Sequence, residues 1–173
     1  MNSEVGKGSN FQFTFFAAET TMPAVVTPVL AAPVEEKPLA PVKVLLVEDN
    51  TINQVVALAF LKKLGQTADV ANNGLEALEK MEGKAYDLIL MDCHMPKMDG
   101  FECMRQIAKR WPKDNRPKVV AMTASARKED EENCRQVGME GFVTKPIDMK
   151  ALRALVEEAQ EKVAEKATYG RVS

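Results

Sequence analysis

Residues 42–50 read Val42-Lys43-Val44-Leu45-Leu46-Val47-Glu48-Asp49-Asn50. The run is apolar almost throughout and does not alternate with polar residues, as expected of a strand covered on both faces, and it stops abruptly at two carboxylates. Four more short runs follow at 67–71, 87–91, 119–122 and 141–144. Segments with helical spacing of apolar positions lie at 51–64, 74–81, 100–111, 127–137 and 148–166. Strand and helix thus alternate five times, which predicts an α/β protein with a doubly wound parallel sheet, right-handed crossovers and helices on both faces. In such sheets the functional groups gather beyond the carboxyl ends of the strands, where the strand order reverses.

The first strand is followed by Glu48 and Asp49, the third by Asp92, the fourth by Thr123 and the fifth by Lys145-Pro146. The second strand ends on no comparable group. Taken singly, each has a plain structural reading: a Glu-Asp pair can cap a helix, and Lys-Pro or Asp99-Gly100 can simply turn the chain. At four strand ends of one sheet, however, they aim three acids, a hydroxyl and an ammonium at one rim. Crowded carboxylates repel, which raises a pKa or calls in a cation. Hard oxygen donors without a cage of His or Cys favour Mg²⁺, which keeps several waters and needs few protein ligands. A carboxylate beside such an ion can attack phosphorus and form an aspartyl phosphate. Asp92 is the natural nucleophile, Glu48 and Asp49 would hold the metal, and Lys145 and Thr123 suit the oxygens of the transferred group.

Residues 42–166 resemble a response-regulator receiver domain. The resemblance rests on Val47-Glu48-Asp49-Asn50, Leu90-Met91-Asp92-Cys93-His94-Met95-Pro96-Lys97-Met98-Asp99-Gly100, Ala121-Met122-Thr123-Ala124 and Thr144-Lys145-Pro146, four motifs in order, each at a strand end. It implies a flavodoxin-like (βα)5 fold with strand order 2-1-3-4-5. It implies that Asp92 is the phosphoacceptor, that Asp49 and Asp92 bind Mg²⁺ directly, that Glu48 acts through water, and that the main-chain carbonyl of His94 is a further ligand. Phe142 falls at the family's aromatic switch position, with Thr123 as its hydroxyl partner, and the Lys145-Pro146 bond is expected to be cis. Two positions depart from the common pattern: Glu48 stands where many members have Asp, and Ser125 where Asn is frequent.

His94 is the sole histidine, and it lies in the loop after Asp92. A histidine kinase or phosphotransfer protein carries its phosphohistidine on an exposed helix, so this chain is expected to accept a phosphoryl group and not to initiate one. Cys93 reads as a small buried residue and the ten methionines as core filler. A phosphatase with an Asp nucleophile would place a second Asp two residues on, where this chain has His94. The segment 51–64 is more apolar than one buried face requires. With Ile52, Val55, Val56, Ala59 and Phe60 turned to the sheet, Ala57, Leu58 and Leu61 would project outward. They would form a docking patch for the helical bundle of a histidine phosphotransfer protein or for a kinase's dimerisation helices.

The first 41 residues are a different kind of chain. They hold five of the nine prolines, four of the seven phenylalanines and the whole net charge of −2. Prolines at 23, 28, 33, 38 and 41 make residues 20–41 an extended, semi-rigid linker. Ahead of it, Phe11, Phe13 and Phe15 alternate with polar residues at strand period. Gly6-Lys7-Gly8-Ser9-Asn10-Phe11-Gln12-Phe13 resembles the last Gly-rich turn and strand of histidine-kinase ATP-binding domains. Residues 1–19 therefore read as the edge of such a domain, without the rest of its nucleotide site. The expected organisation is edge, linker, receiver domain at 42–166 and a tail at 167–173, as in the receiver of a hybrid sensor histidine kinase; a free-standing single-domain regulator that works as a binding module is the alternative.

Composition bounds the partners. The balanced charge after residue 41 offers no basic stripe for nucleic acid or anionic membrane. No uncharged stretch reaches the roughly 20 residues of a spanning helix. Three cysteines without C-x-x-C spacing fit a reducing, cytoplasmic setting. The isolated domain is expected to be a monomer.

Overall fold

A computed structural model describes residues 2–3, 9–10, 39–124 and 128–169. The chain divides into two compact units, Met1–Glu36 and Lys37–Ser173. In the first unit Asn2–Ser3 pairs antiparallel with Ser9–Asn10, with Asn2 opposite Asn10. The expected Phe11–Phe15 strand, the proline linker to residue 38 and Ser125 lie outside the described residues.

The second unit carries the alternating pattern: β1 (Lys43–Val47), α1 (Thr51–Lys63), β2 (Thr67–Ala71), α2 (Gly74–Gly83), β3 (Leu88–Asp92), α3 (Gly100–Arg110), β4 (Lys118–Thr123), α4 (Lys128–Gln136), β5 (Gly141–Thr144) and α5 (Met149–Tyr169). The strands form one parallel sheet in the order β2-β1-β3-β4-β5, so the fold is the doubly wound (βα)5 arrangement with the switch between β1 and β3. Successive residues of a strand point to opposite faces. Leu45, Val47, Ile89, Met91, Val119 and Ala121 accordingly pack with Leu78, Met104 and Ile107 of α2 and α3. Val44, Leu46, Leu88, Leu90, Val120 and Met122 pack with Ala57 and Leu61 of α1 and Leu152, Val156 and Ala159 of α5. Each fully buried Leu, Ile or Met in these layers stabilises the fold by about 1.5–3 kcal/mol.

The helices start where short polar side chains can take the free amides of a first turn. Asn50 accepts from Ile52 N (2.9 Å) and Asn53 N (3.3 Å), Asn73 from Leu75 N and Glu76 N, and Asp99 from Glu102 N (2.7 Å). Gly65, at φ +72°, turns the chain out of α1 in the left-handed region that favours glycine. Three boundaries differ from the sequence reading. β3 and β4 extend to Asp92 and Thr123, so these residues end strands instead of following them. α5 continues to Tyr169, past the expected limit at 166, because no breaker occurs before Gly170. The unit also begins ahead of residue 42: Leu39 packs on the α1/α5 core, and the Ala40 carbonyl accepts from Gln66 Nε2 (3.3 Å) and from Gln160 Nε2.

Candidate functional site

The register decides what meets at the carboxyl edge. Val47 of β1 pairs with Met91 of β3, so the residues that follow, Glu48 and Asp92, are neighbours across the strand gap. One carboxylate oxygen each from Glu48, Asp49 and Asp92 lies within 4.8 Å of the others. Glu48 and Asp92 are buried and Asp49 is exposed, so the cluster opens to solvent on one side. Lys145, carried just beyond β5, places Nζ 2.6 Å from Glu48 Oε2 and 2.6 Å from Asp92 Oδ2. Its main chain is anchored as well, since Lys145 N donates to Thr123 O (2.7 Å). Thr123 is buried at the end of β4. The Lys145-Pro146 bond is cis, as expected.

The site's electrostatics follow from this packing. Burial pushes the Asp92 carboxyl above the ordinary carboxylate range, and hydrogen bonds from Lys145 and from His94 N (3.1 Å, to Oδ1) only partly offset it. Burial alone would lower Lys145, but the two carboxylates outweigh it and hold the ammonium above its usual range. Burial also raises the Cys93 thiol beyond the range of a reactive thiolate, consistent with its packing role.

The β3–α3 loop keeps Asp92 in place. Cys93 N donates to Met122 O (3.2 Å) and Gly100 N to Cys93 O (3.1 Å), so the start of α3 rests on the chain just after Asp92. His94 is exposed in this loop, its ring edge-on to Phe101 at 6.2 Å. Phe142 is half-buried in β5 and packs on the core layer that includes Cys134 of α4.

One expectation is corrected. Ala57 and Leu61 of α1 are buried in the core and Leu58 packs partly against it. The face that projects outward carries Ile52, Val55 and Val56, at 74%, 62% and 40% exposure. The helix is therefore turned opposite to the sequence reading, and the apolar patch beside the acidic cluster consists of those three residues. In this phase Gln54 Nε2 donates to the Glu48 carbonyl (2.6 Å) and to Asn72 Oδ1 (2.9 Å). Sequence reasoning also missed the neighbours of Glu48: Asn53 Nδ2 (2.9 Å) and Asn50 N (3.3 Å) both donate to its Oε1. The signal was present as three amide side chains within the first turn and cap of α1.

Three acids, a bridging ammonium and a buried hydroxyl at the switch point are the arrangement expected from the sequence motifs. Residues 44–157 match the family model described as the response regulator receiver domain. The chain belongs to this family. The receiver domain is 39% identical over 158 residues to the aerobic respiration control sensor protein ArcB of Escherichia coli, a match that covers 91% of this chain and 20% of ArcB. It is 36% identical over 152 residues to histidine kinase 5 of Arabidopsis thaliana, covering 73% of this chain and 16% of the relative. This chain thus spans a fifth or less of the length of these relatives. Among solved structures, the receiver domain of sensor histidine kinase PA1611 from Pseudomonas aeruginosa PAO1, with a magnesium ion coordinated in its active-site cleft, is 37% identical at a TM-score of 0.62. That similarity covers 69% of this chain and 97% of the other. Among the described residues no helix is long and apolar enough to cross a membrane.

Proposed function

We propose that this receiver domain takes a phosphoryl group from a phosphohistidine onto a carboxylate oxygen of Asp92, within a two-component phosphorelay. The observation that carries the reading is the Glu48–Asp49–Asp92 cluster bridged by Lys145 at the switch point of the sheet. In the transfer the P–N bond to the donor imidazole breaks, a P–O bond to Asp92 forms, and the imidazole leaves with its electron pair. Asp92 attacks as the carboxylate, which the His94 amide and the Lys145 ammonium help to keep ionised against the cost of burial. Lys145 then turns from the acids to an oxygen of the transferred group, and the Thr123 hydroxyl donates to another.

The donor set fits Mg²⁺: hard carboxylate oxygens from three residues, close enough to share one ion, with an exposed side for its waters. Asp49 and Asp92 would hold it directly, Glu48 through water, and the His94 carbonyl would complete the protein ligands. When bound, the ion neutralises the acids and stabilises charge on the phosphoryl oxygens. Occupancy of Asp92 would shift an existing conformational equilibrium through Thr123 and Phe142.

The partner would be the helical bundle of a histidine phosphotransfer protein or of a kinase dimerisation domain, docked on Ile52, Val55 and Val56. Of these, Val56 lines a small cavity of about 80 Å³ together with Pro146, Ile147, Glu48 and Lys145. We further read the chain as a cytoplasmic part of a hybrid sensor kinase. The stretch similar to ArcB is longer than residues 42–173 and so extends into the first 41 residues, in keeping with residues 1–19 as the edge of an ATP-binding domain joined by a linker at 20–41. The decisive experiment mixes the chain with acetyl phosphate or phosphoramidate and Mg²⁺ and seeks one covalent phosphoryl group by intact mass. No adduct on the native chain, or an adduct that survives in Asp92→Asn, would refute the mechanism.

A further inference from the structure

Glu48 is held at every polar atom. Its N–H donates to Ala71 O (3.0 Å), its carbonyl accepts from Gln54, and its Oε2 faces Lys145. Its Oε1 is taken by the Asn50 main-chain amide and, at shorter range, by the Asn53 side chain. Among the described residues, Asn53 is the side chain that bonds this carboxylate besides the cluster's own ammonium. Asn53 lies outside the four strand-end motifs quoted above.

A glutamate carries one more rotatable bond than the aspartate common at position 48, and that extra freedom must be lost if the carboxylate is to face the cleft in one pose. Lys145 does not supply the restraint alone, because its ammonium is shared with Asp92 and, on the function proposed above, is drawn away by the phosphoryl group. Freed from Asn53, Glu48 would have Lys145 as its only side-chain partner and would follow it. The Asn53 amide supplies a fixed point that is neutral. It therefore orients the carboxylate without placing a second positive charge against an incoming cation.

We propose that Asn53 is a positioning residue for Glu48: it holds Oε1, presents Oε2 to the acidic cluster, and thereby sets the affinity of the cluster for a divalent cation. The inference rests on the Mg²⁺ reading above. It is tested by calorimetric titration of the full chain with Mg²⁺ in the absence of any phosphodonor. Asn53→Ala is expected to weaken Mg²⁺ binding about tenfold, equivalent to about 1.4 kcal/mol. In a Glu48→Asp background the shorter carboxylate does not reach Asn53, so the same substitution should change affinity less than about twofold, a non-additivity that marks coupled neighbours. Asn53→Ser, which leaves a polar residue in the first turn but lacks the reach, must show the same pattern, and metal-free thermal melts check that each variant is folded. Native affinity in Asn53→Ala, or equal losses in both backgrounds, would overturn the inference and leave the proposed function standing. Failure of the native chain to bind Mg²⁺ would overturn both.

Discussion

Gly100 offers a severe test of how the receiver scaffold positions Asp92. A Cβ built on Gly100 would lie 2.2 Å from the Asp92 carbonyl oxygen, 3.1 Å from its carbonyl carbon and 3.0 Å from Met91 Cγ. The first contact is with main chain and falls roughly 1 Å short of ordinary van der Waals separation, so no side-chain rotation relieves it. Gly100→Ala must move the start of α3 off β3. That strains the Gly100 N to Cys93 O hydrogen bond (3.1 Å) and loosens Cys103, Met104 and Ile107, all fully buried on α3. Overpacking of this kind costs about 1–3 kcal/mol and the weakened hydrogen bond about 1 kcal/mol, so a loss of about 2–4 kcal/mol is expected. Gly83→Ala is the matched control: nothing lies within 4 Å of its added Cβ at the end of α2, and a gain of about 0.4–1 kcal/mol is expected. Urea unfolding of the two variants against the native chain measures both. Because the clash is with Asp92 itself, Gly100→Ala should also slow labelling by acetyl phosphate under conditions where it remains folded. A stability change below about 0.5 kcal/mol, the range of an ordinary surface substitution, would refute the packing argument.

The two faces of α1 should separate under mutation. Ile52→Ser with Val55→Ser should leave stability and acetyl-phosphate labelling near native while slowing transfer from a phosphorylated histidine phosphotransfer protein, and equal loss of both reactions would count against the docking role. Leu61→Ala, on the buried face, should cost about 2–5 kcal/mol in urea unfolding. Gln66→Ala removes the acceptor of the buried Val42 N–H (2.8 Å) together with the donor to Ala40 O, and should cost about 1–3 kcal/mol; an unchanged midpoint would show that the strap before β1 is not held this way. Tyr86 is pushed up from 10.0 to about 12 by burial and by its hydrogen bond to Asp69 (2.7 Å). Its folded pKa lies above the unfolded one, so its contribution to stability is complete below pH 10.0 and is lost as pH rises towards about 12. Phenolate absorbance should show a transition near 12 that disappears in Tyr86→Phe.

Much of this was legible because the strands announce themselves twice, by apolar runs and by what stands at their ends. β2 and β5 have the bounds read from sequence, and the residues at the carboxyl edge are those the motifs picked out. The boundaries that moved did so where local composition is silent and long-range pairing decides. Asp92 and Thr123 look like loop residues by type, yet they complete strands because Met122 and Thr144 sit opposite them in the ladder. Leu39 and Ala40 read as linker among prolines, yet Gln66 and Gln160, distant in sequence, hold them to the unit. No window of the sequence contains both partners of such a contact.

The misread face of α1 has a different cause. At spacing i, i+3, i+4, i+7 the helix carries two stripes, Ile52-Val55-Val56-Ala59 and Gln54-Ala57-Leu58-Leu61. Periodicity alone favours the first, which is wholly apolar, for the core. The structure buries the second, with Phe60 and Leu64 packing on the same core, while Gln54 at its head reaches the Glu48 carbonyl and Asn72. The buried face thus joins five apolar residues, Ala57, Leu58, Phe60, Leu61 and Leu64, to a polar anchor at the sheet edge, where the periodic template counts only three. The consequence is functional. The same phase that lets Asn53 touch Glu48 leaves Ile52, Val55 and Val56 in solvent, where β-branched residues are mediocre helix formers and bury little. Their exposure contributes little to folding and is what the proposed docking role requires. On the docking role proposed above, one rotation of α1 would serve the acidic cluster and the docking face together, and a mutation that released Gln54 should disturb both.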